Sequence, residues 1–234
     1  MRKLQMFLSF LFLLICIENQ ATHKIYLIHG FGSVGLELEK IRNAINEKGY
    51  VNEIYTYHSL VDDVDLVGQK LFEKIQSENF DSISFVTHSM GALVVRSLYE
   101  HIDSLTVFPF IHRIVMIAPP NNGSPVADFI AQFSFVKYIV GPNINNLTTN
   151  PVIGAGKYPL PTCEVGLIAG SYAGKKGFNI FIKGDNDGVL IPENTKMGIE
   201  KDVAFVKSWH VGLLFNKKVI KLVMTFLDKG RFVE

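Results

Sequence analysis

Three short stretches of this chain carry side chains that could do chemistry together. "THSMG" (Thr87–Gly91) sets a serine between a β-rich run and an amphipathic one. "GDNDGVLIP" (Gly184–Pro192) supplies two carboxylates, Asp185 and Asp187, and "SWHVGLL" (Ser208–Leu214) supplies His210. A serine hydroxyl is a poor nucleophile at neutral pH and needs an adjacent base. An imidazole can serve, provided a carboxylate fixes its tautomer and stabilises the imidazolium. Each stretch alone has a plainer reading: Ser89 as a helix N-cap, Asn-Asp-Gly as a turn, His210 as a solvated side chain. Asp185 and Asp187 also begin like a calcium loop, but the later ligand positions are missing, so no metal site is expected. Joint occurrence favours nucleophilic acyl transfer, with Asp185 or Asp187 as the acid.

The order of elements decides whether these stretches can meet. "KIYLIHG" (Lys24–Gly30), "YVNEIYTYH", "SISFVTH", "IHRIVMIAP" (Ile111–Pro119), "CEVGLIAG" and "DVAFVKS" read as strands. Between and after them lie helical patterns. "ELEKIRNAINEKG" spaces Leu38, Ile41 and Ile45 helically, and "DLVGQKLFEKIQ" places Leu66, Val67, Leu71 and Ile75 together. "GALVVRSLYEHI" and "NKKVIKLVMTFL" complete the set. Strands alternating with helices predict βαβ units and a mainly parallel sheet covered on both faces. Ligands of such sheets gather outside the carboxyl ends of the strands. There, a serine after a central strand and a histidine after the last can share a site. The alternation breaks over residues 119–162, where a Phe-rich helix is followed by Gly, Pro and Asn. This stretch is expected to be a lid-like insertion, because long connections in compact domains are often functional.

Composition bounds the function. The chain is 48% hydrophobic with a net charge of +1. That suits one domain with a large core and offers no basic stripe for nucleic acid. "MRKLQMFLSFLFLLICIENQATHK" has Arg2 and Lys3, an apolar run from Met6 to Ile17, and a polar stretch to Ala21, the order of a secretory signal peptide. The run is shorter than an ordinary membrane span of about 20 residues. Residues 1–21 are therefore expected to direct secretion, or export to the periplasm, and be removed, with an N-terminal membrane anchor as the alternative. Removal leaves Cys163 as the sole cysteine and no intramolecular disulfide. Two glycosylation sequons occur, at Asn122 and Asn146.

With these residues in view, the chain resembles the α/β-hydrolases. It is most similar to small bacterial lipases and to the lipase-like family that includes the GPI inositol-deacylases. The resemblance rests on "IHGFGS" (Ile28–Ser33), "THSMGALVVR" (Thr87–Arg96), "APPNNGS" (Ala118–Ser124), "GDNDGVLIPENTK" (Gly184–Lys196) and "HVGLL" (His210–Leu214). It implies a minimal sheet of about six strands over residues 22–234, since no room precedes the first strand for the two leading strands of the full fold. It implies Ser89 as nucleophile, His210 as base and Asp187 as acid, with Asp185 the alternative. It also implies backbone N–H groups of Phe31 and Met90 as the oxyanion hole. Thr87 departs from the pattern, standing where G-x-S-x-G has its first glycine. His29 and His88 are expected to be structural.

The activity so implied is that of a secreted serine esterase or lipase without a cofactor. Phe129, Phe133, Phe135, Tyr138, Ile139 and Val140 make the insertion apolar, which suits a hydrophobic acyl ester and contact with a membrane surface; ordinary core packing is the plainer account. Thioesters and amides are open to the same triad. The alternative function is a catalytically silent domain of this fold that binds lipid or a protein partner.

Overall fold

The computed structural model describes residues 22–133, 135 and 140–233. The segment 1–21 and the side chains of Tyr138 and Ile139 lie outside them. Six strands form one sheet: β1 (His23–Ile28), β2 (Val51–Tyr55), β3 (Ser82–His88), β4 (Phe110–Ile117), β5 (Glu164–Ser171) and β6 (Asp202–Lys207). Their order is β2-β1-β3-β4-β5-β6, and every neighbouring pair is parallel. The chain moves outward from β1 to β2, then returns to place β3 on the other side of β1. That reversal opens a crevice beyond the carboxyl ends of β1 and β3.

Helices cover both faces. On one lie α1 (Glu39–Glu47) and the C-terminal α6 (Lys217–Lys229), packing Ile41, Ile45, Val219, Val223 and Phe226 against Ile25, Leu27, Val86 and Val115. On the other lie α2 (Val64–Ser77) and α3 (Gly91–Leu98), packing Val67, Leu71, Leu93 and Val94 against Tyr26, Ile28, Phe85 and Ile114. Alternate strand residues thus enter alternate cores, which is why the strands read as nearly unbroken apolar runs. In α2 the buried set is Val64, Val67, Gly68, Leu71 and Ile75. Leu66, expected among them, is 43% exposed, one position off the stripe. Gly68 lets α2 approach α3 closely, since a Cβ there would lie 2.7 Å from Ser97 Cβ.

Among its described residues the insertion includes the short helices α4 (Pro125–Ile130) and α5 (Asn143–Asn146) and a 3-10 turn (Ala155–Lys157). Core packing does not account for its phenylalanines: Phe129, Phe133 and Phe135 are all exposed. Ala127, Ile144, Leu147 and Ala155 of the insertion do join the core, and buried polar groups tie it down further. Asn143 accepts from Val64 N–H at 2.9 Å and donates to the carbonyls of Ser59 and Asp62. Arg96, 2% exposed, donates to the backbone carbonyls of Asn121, Tyr158 and Pro159. The sequon residue Asn146 is buried and donates to Asp63, so its amide is not open to a glycan in the folded protein. Among the described residues, no helix is long and apolar enough to cross a membrane.

Candidate active site

β3 ends at His88, and α3 begins two residues after Ser89. Ser89 makes the turn at φ 50°, a left-handed conformation that non-glycine residues adopt only under constraint. Its N–H donates to Ile117 O at 2.9 Å, and its carbonyl accepts from Ala92 N–H. The elbow is therefore gripped from the neighbouring strand and from the helix. Two glycines make room for it. A Cβ on Gly30 would lie 2.9 Å from Ser89 Cβ, and one on Gly91 would lie 2.5 Å from Ile28 O. Thr87 is accommodated because it remains a strand residue, buried and paired with Ile28 and Met116. Its β-branch suits that geometry.

His210 follows β6 and opens a 3-10 turn (Val211–Phe215). Its Nδ1 lies 2.7 Å from Asp187 Oδ2, and its backbone N–H donates to Asp187 O at 2.8 Å. Asp187 is 1% exposed, and its other oxygen accepts from Val189 N–H and Leu190 N–H. The carboxylate is thus held by two amides on one side and the imidazole on the other. Asp185 is engaged elsewhere, accepting from the Ser171 hydroxyl and, at 2.7 Å, from Tyr172 N–H. It shapes the exit of β5.

Ser89 and His210 line one cleft of about 390 Å³ together with Phe31, Val34, Glu37 and His88. This cleft lies in the crevice between β1 and β3. Two amides near it are spare. Among the described residues, no hydrogen bond engages Phe31 N–H or Met90 N–H, whereas Gly32 N–H donates to the Ser59 hydroxyl. His29 braces the Phe31 turn: it stacks on Tyr57 at 4.2 Å, and both ring nitrogens are taken, by Gly30 O and Tyr57 N–H. His88 is buried with its ring 4.9 Å from that of His210. Burial, then the neighbouring His210, pushes its pKa well below the ordinary imidazole value, so His88 packs as a neutral ring.

A second cleft of about 610 Å³ adjoins the first, sharing His210 and Val211, and is lined by Phe178, Ile180, Phe181 and Trp209. The sequence reading looked for apolar substrate contacts only in 119–162 and passed over this loop. Its signal was present as "GFNIFI", an apolar run a few residues ahead of Asp185 and Asp187. A larger cleft of about 710 Å³, lined by Phe108, Phe110 and Cys163, opens at the amino-terminal ends of β4 and β5, the opposite end of the sheet from Ser89.

The model of a family described as a domain of unknown function, DUF7379, matches residues 19–152. The chain belongs to that family. The matched stretch holds β1 to β4 and Ser89 and stops before Asp187 and His210. No curated protein matches the sequence. Among solved structures, the mature form of the Bacillus licheniformis lipase BlEst2 is 16% identical, with a TM-score of 0.67 over 91% of this chain and 93% of that one. A metagenomic carboxyl esterase, MGS0156, is 15% identical, with a TM-score of 0.59 over 83% of this chain and 66% of that one. A pyrethroid hydrolase from Sphingobium faniae JZ-2 is 12% identical, with a TM-score of 0.56 over 89% and 98%. At such identities the likeness speaks to the fold, which is that of the α/β-hydrolases.

Proposed function

We propose that this protein is a serine hydrolase that cleaves carboxylic esters of hydrophobic acyl groups through an acyl-enzyme. The observation that carries the reading is the buried Asp187–His210 pair opening onto the cleft that Ser89 lines. Ser89 Oγ attacks the ester carbonyl while His210 Nε2 takes its proton. Asp187 holds the proton on Nδ1 and stabilises the imidazolium. The oxyanion is received by Phe31 N–H and Met90 N–H. Collapse of the tetrahedral species expels the alcohol, which takes the proton from His210. Water, activated by the same imidazole, then releases the acid and restores Ser89.

Around that core, residues 22–234 form the catalytic domain and 119–162 its lid-like insertion. Residues 1–21 act as an export signal, so the enzyme works outside the cytoplasm on hydrophobic esters such as those of small bacterial lipases or the GPI inositol-deacylase-like family. Fluorophosphonate labelling tests the reading, because it reports an activated serine whatever the natural substrate. Wild type is expected to label, and Ser89→Ala and His210→Ala are expected not to. A folded wild type that never labels would overturn the proposal in favour of a silent domain that binds lipid or a partner.

A further inference from the structure

The loop that leads from β5 to the acid, residues 172–184, has no part in the triad, yet it is built with care. Asn186 is fully buried and holds it from within. The Asn186 side-chain amide donates to Asn179 O, Ile182 O and Gly184 O, and its Oδ1 accepts from Asn179 N–H and Gly188 N–H. Asn179 in turn bonds Phe181 N–H and Gly188 O. A loop so clamped does not expose apolar groups by slackness. It turns Ile182 inward and leaves Ile180 81% and Phe181 93% exposed, beside Phe178 at 41% and Trp209 at 54%. Single exposed apolar residues need no explanation, but four large ones around one cleft do.

Lysines outnumber carboxylates around this patch, the nearest acids being Asp185 and Glu193 beside Lys183. Lys175, Lys176 and Lys183 lie in the same loop, and Lys207 stands over the Tyr172 ring at 5.0 Å, which itself packs on Phe178 at 5.1 Å. All four lysines are exposed, and among the described residues none makes an ion pair. Between Glu164 and Asp185 the chain has no acidic residue, and Asp185 is bonded to Ser171 and Tyr172. Apolar side chains that can enter a bilayer, on a loop that also carries exposed lysines, match a surface whose headgroups are anionic and whose interior is hydrocarbon. A tryptophan at the edge of such a patch sits where that ring prefers to be, at the boundary between the two.

We infer that the loop 172–184, together with Trp209, is a docking surface for an anionic lipid bilayer. Ile180 and Phe181 enter the acyl region, and Lys175, Lys176, Lys183 and Lys207 pair with headgroups. The patch shares His210 and Val211 with the Ser89 cleft. Docking therefore brings the mouth of that cleft to the lipid surface, which deepens the proposed esterase reading but does not depend on turnover.

Trp209 is the only tryptophan in the chain, so its emission reports this patch alone. The experiment uses the Ser89→Ala protein, which separates docking from hydrolysis. It is mixed with vesicles of phosphatidylcholine containing phosphatidylglycerol, and with vesicles of phosphatidylcholine alone. The expected result is a blue shift of Trp209 emission and co-sedimentation with the anionic vesicles, both weakened by salt and both much weaker on the neutral vesicles. Lys175→Gln with Lys176→Gln is expected to weaken partitioning about thirtyfold, from the contribution of each lysine near an anionic surface. Ile180→Ser with Phe181→Ser is expected to weaken it by about a hundredfold or more, from the loss of two buried apolar side chains. Unchanged thermal unfolding serves as the check on folding for both variants. Absence of binding by the folded protein, or equal binding by all variants, overturns the inference. So does lipid-free self-association that the Ile180 and Phe181 changes abolish, since the patch is then an interface between copies. Fluorophosphonate labelling of the wild type is read separately, so failure of the esterase reading is not confused with failure of docking.

Discussion

Replacing Asp187 by Asn tests the site at the point where its geometry is tightest. One carboxylate oxygen accepts from Val189 N–H at 3.0 Å and Leu190 N–H at 2.8 Å, and the other faces His210 Nδ1 at 2.7 Å. An asparagine there has only one orientation that satisfies both sides. Its oxygen must stay on the two backbone amides, since turning its NH₂ toward them would set donor against donor. The NH₂ then points at Nδ1, which must accept, so the ring proton moves to Nε2. In that tautomer Nε2 cannot take the proton of Ser89. Because the backbone bonds survive, the variant is expected to fold with near wild-type stability and to lose about ten-thousandfold in the rate of labelling or ester cleavage. Asp185→Asn, which touches Ser171 and Tyr172 instead, is expected to cost less than about tenfold, far short of the loss from a wrong tautomer. The assay is the second-order rate of fluorophosphonate labelling for both variants, alongside thermal unfolding. An Asp187→Asn protein within about tenfold of wild type would refute the reasoning, and a large loss confined to Asp185→Asn would move the acid.

Three further outcomes follow from the same structure. Ser89→Gly relieves the φ of 50° and is expected to abolish labelling while raising stability by about 1 kcal/mol, seen as a melting temperature a few degrees higher. Arg96→Met strands the carbonyls of Asn121, Tyr158 and Pro159. At about 1–3 kcal/mol for each buried group left without a partner, it is expected to cost at least about 3 kcal/mol in urea unfolding, a large part of a domain's stability. His88 and His29 have pKa values lowered by burial, so the unfolded chain takes up protons below about pH 6.5 that the folded chain does not. Stability is therefore fully present above that pH and falls as pH drops below it toward the folded-state values, with His88 carrying the larger share, at a slope of up to about 1.4 kcal/mol per pH unit, and His88→Gln is expected to flatten the slope measured by denaturant titration.

Much of this arrangement was legible in the chain because it rests on local patterns. Parallel strands buried on both faces must read as apolar runs, and "KIYLIHG", "SISFVTH" and "IHRIVMIAP" became β1, β3 and β4 almost to the residue. The elbow was legible because a serine between a strand and a helix, flanked by a glycine that clears Ile28 O, leaves few other conformations. What was not legible depends on contacts between distant segments. Asp185 and Asp187 are chemically equivalent in sequence, and only the return of β6 beside the acid loop sets His210 against one of them. The phenylalanines of 119–162 read as core or lid with equal ease. Their exposure depends on how the distant segments of this stretch are placed, and no periodicity encodes that.

Asn186 shows why Asp187 and the loop before it belong to one unit. It lies between the two carboxylates in "DND", fully buried, and its side chain organises residues 179–188 while its neighbour Asp187 meets His210. A Cβ on Gly177 would fall 1.8 Å from Asn186 Nδ2, so the loop passes directly over this amide. Displacing the loop would thus pull on the residue bonded to Asp187 along the chain. Shortening the side chain by Asn186→Ala would strand several backbone groups at once and free the loop that carries Phe181. The Asp187–His210 pair and the apolar patch beside it are therefore joined through adjacent residues of one buried segment, so a shift in the loop reaches Asp187 through Asn186.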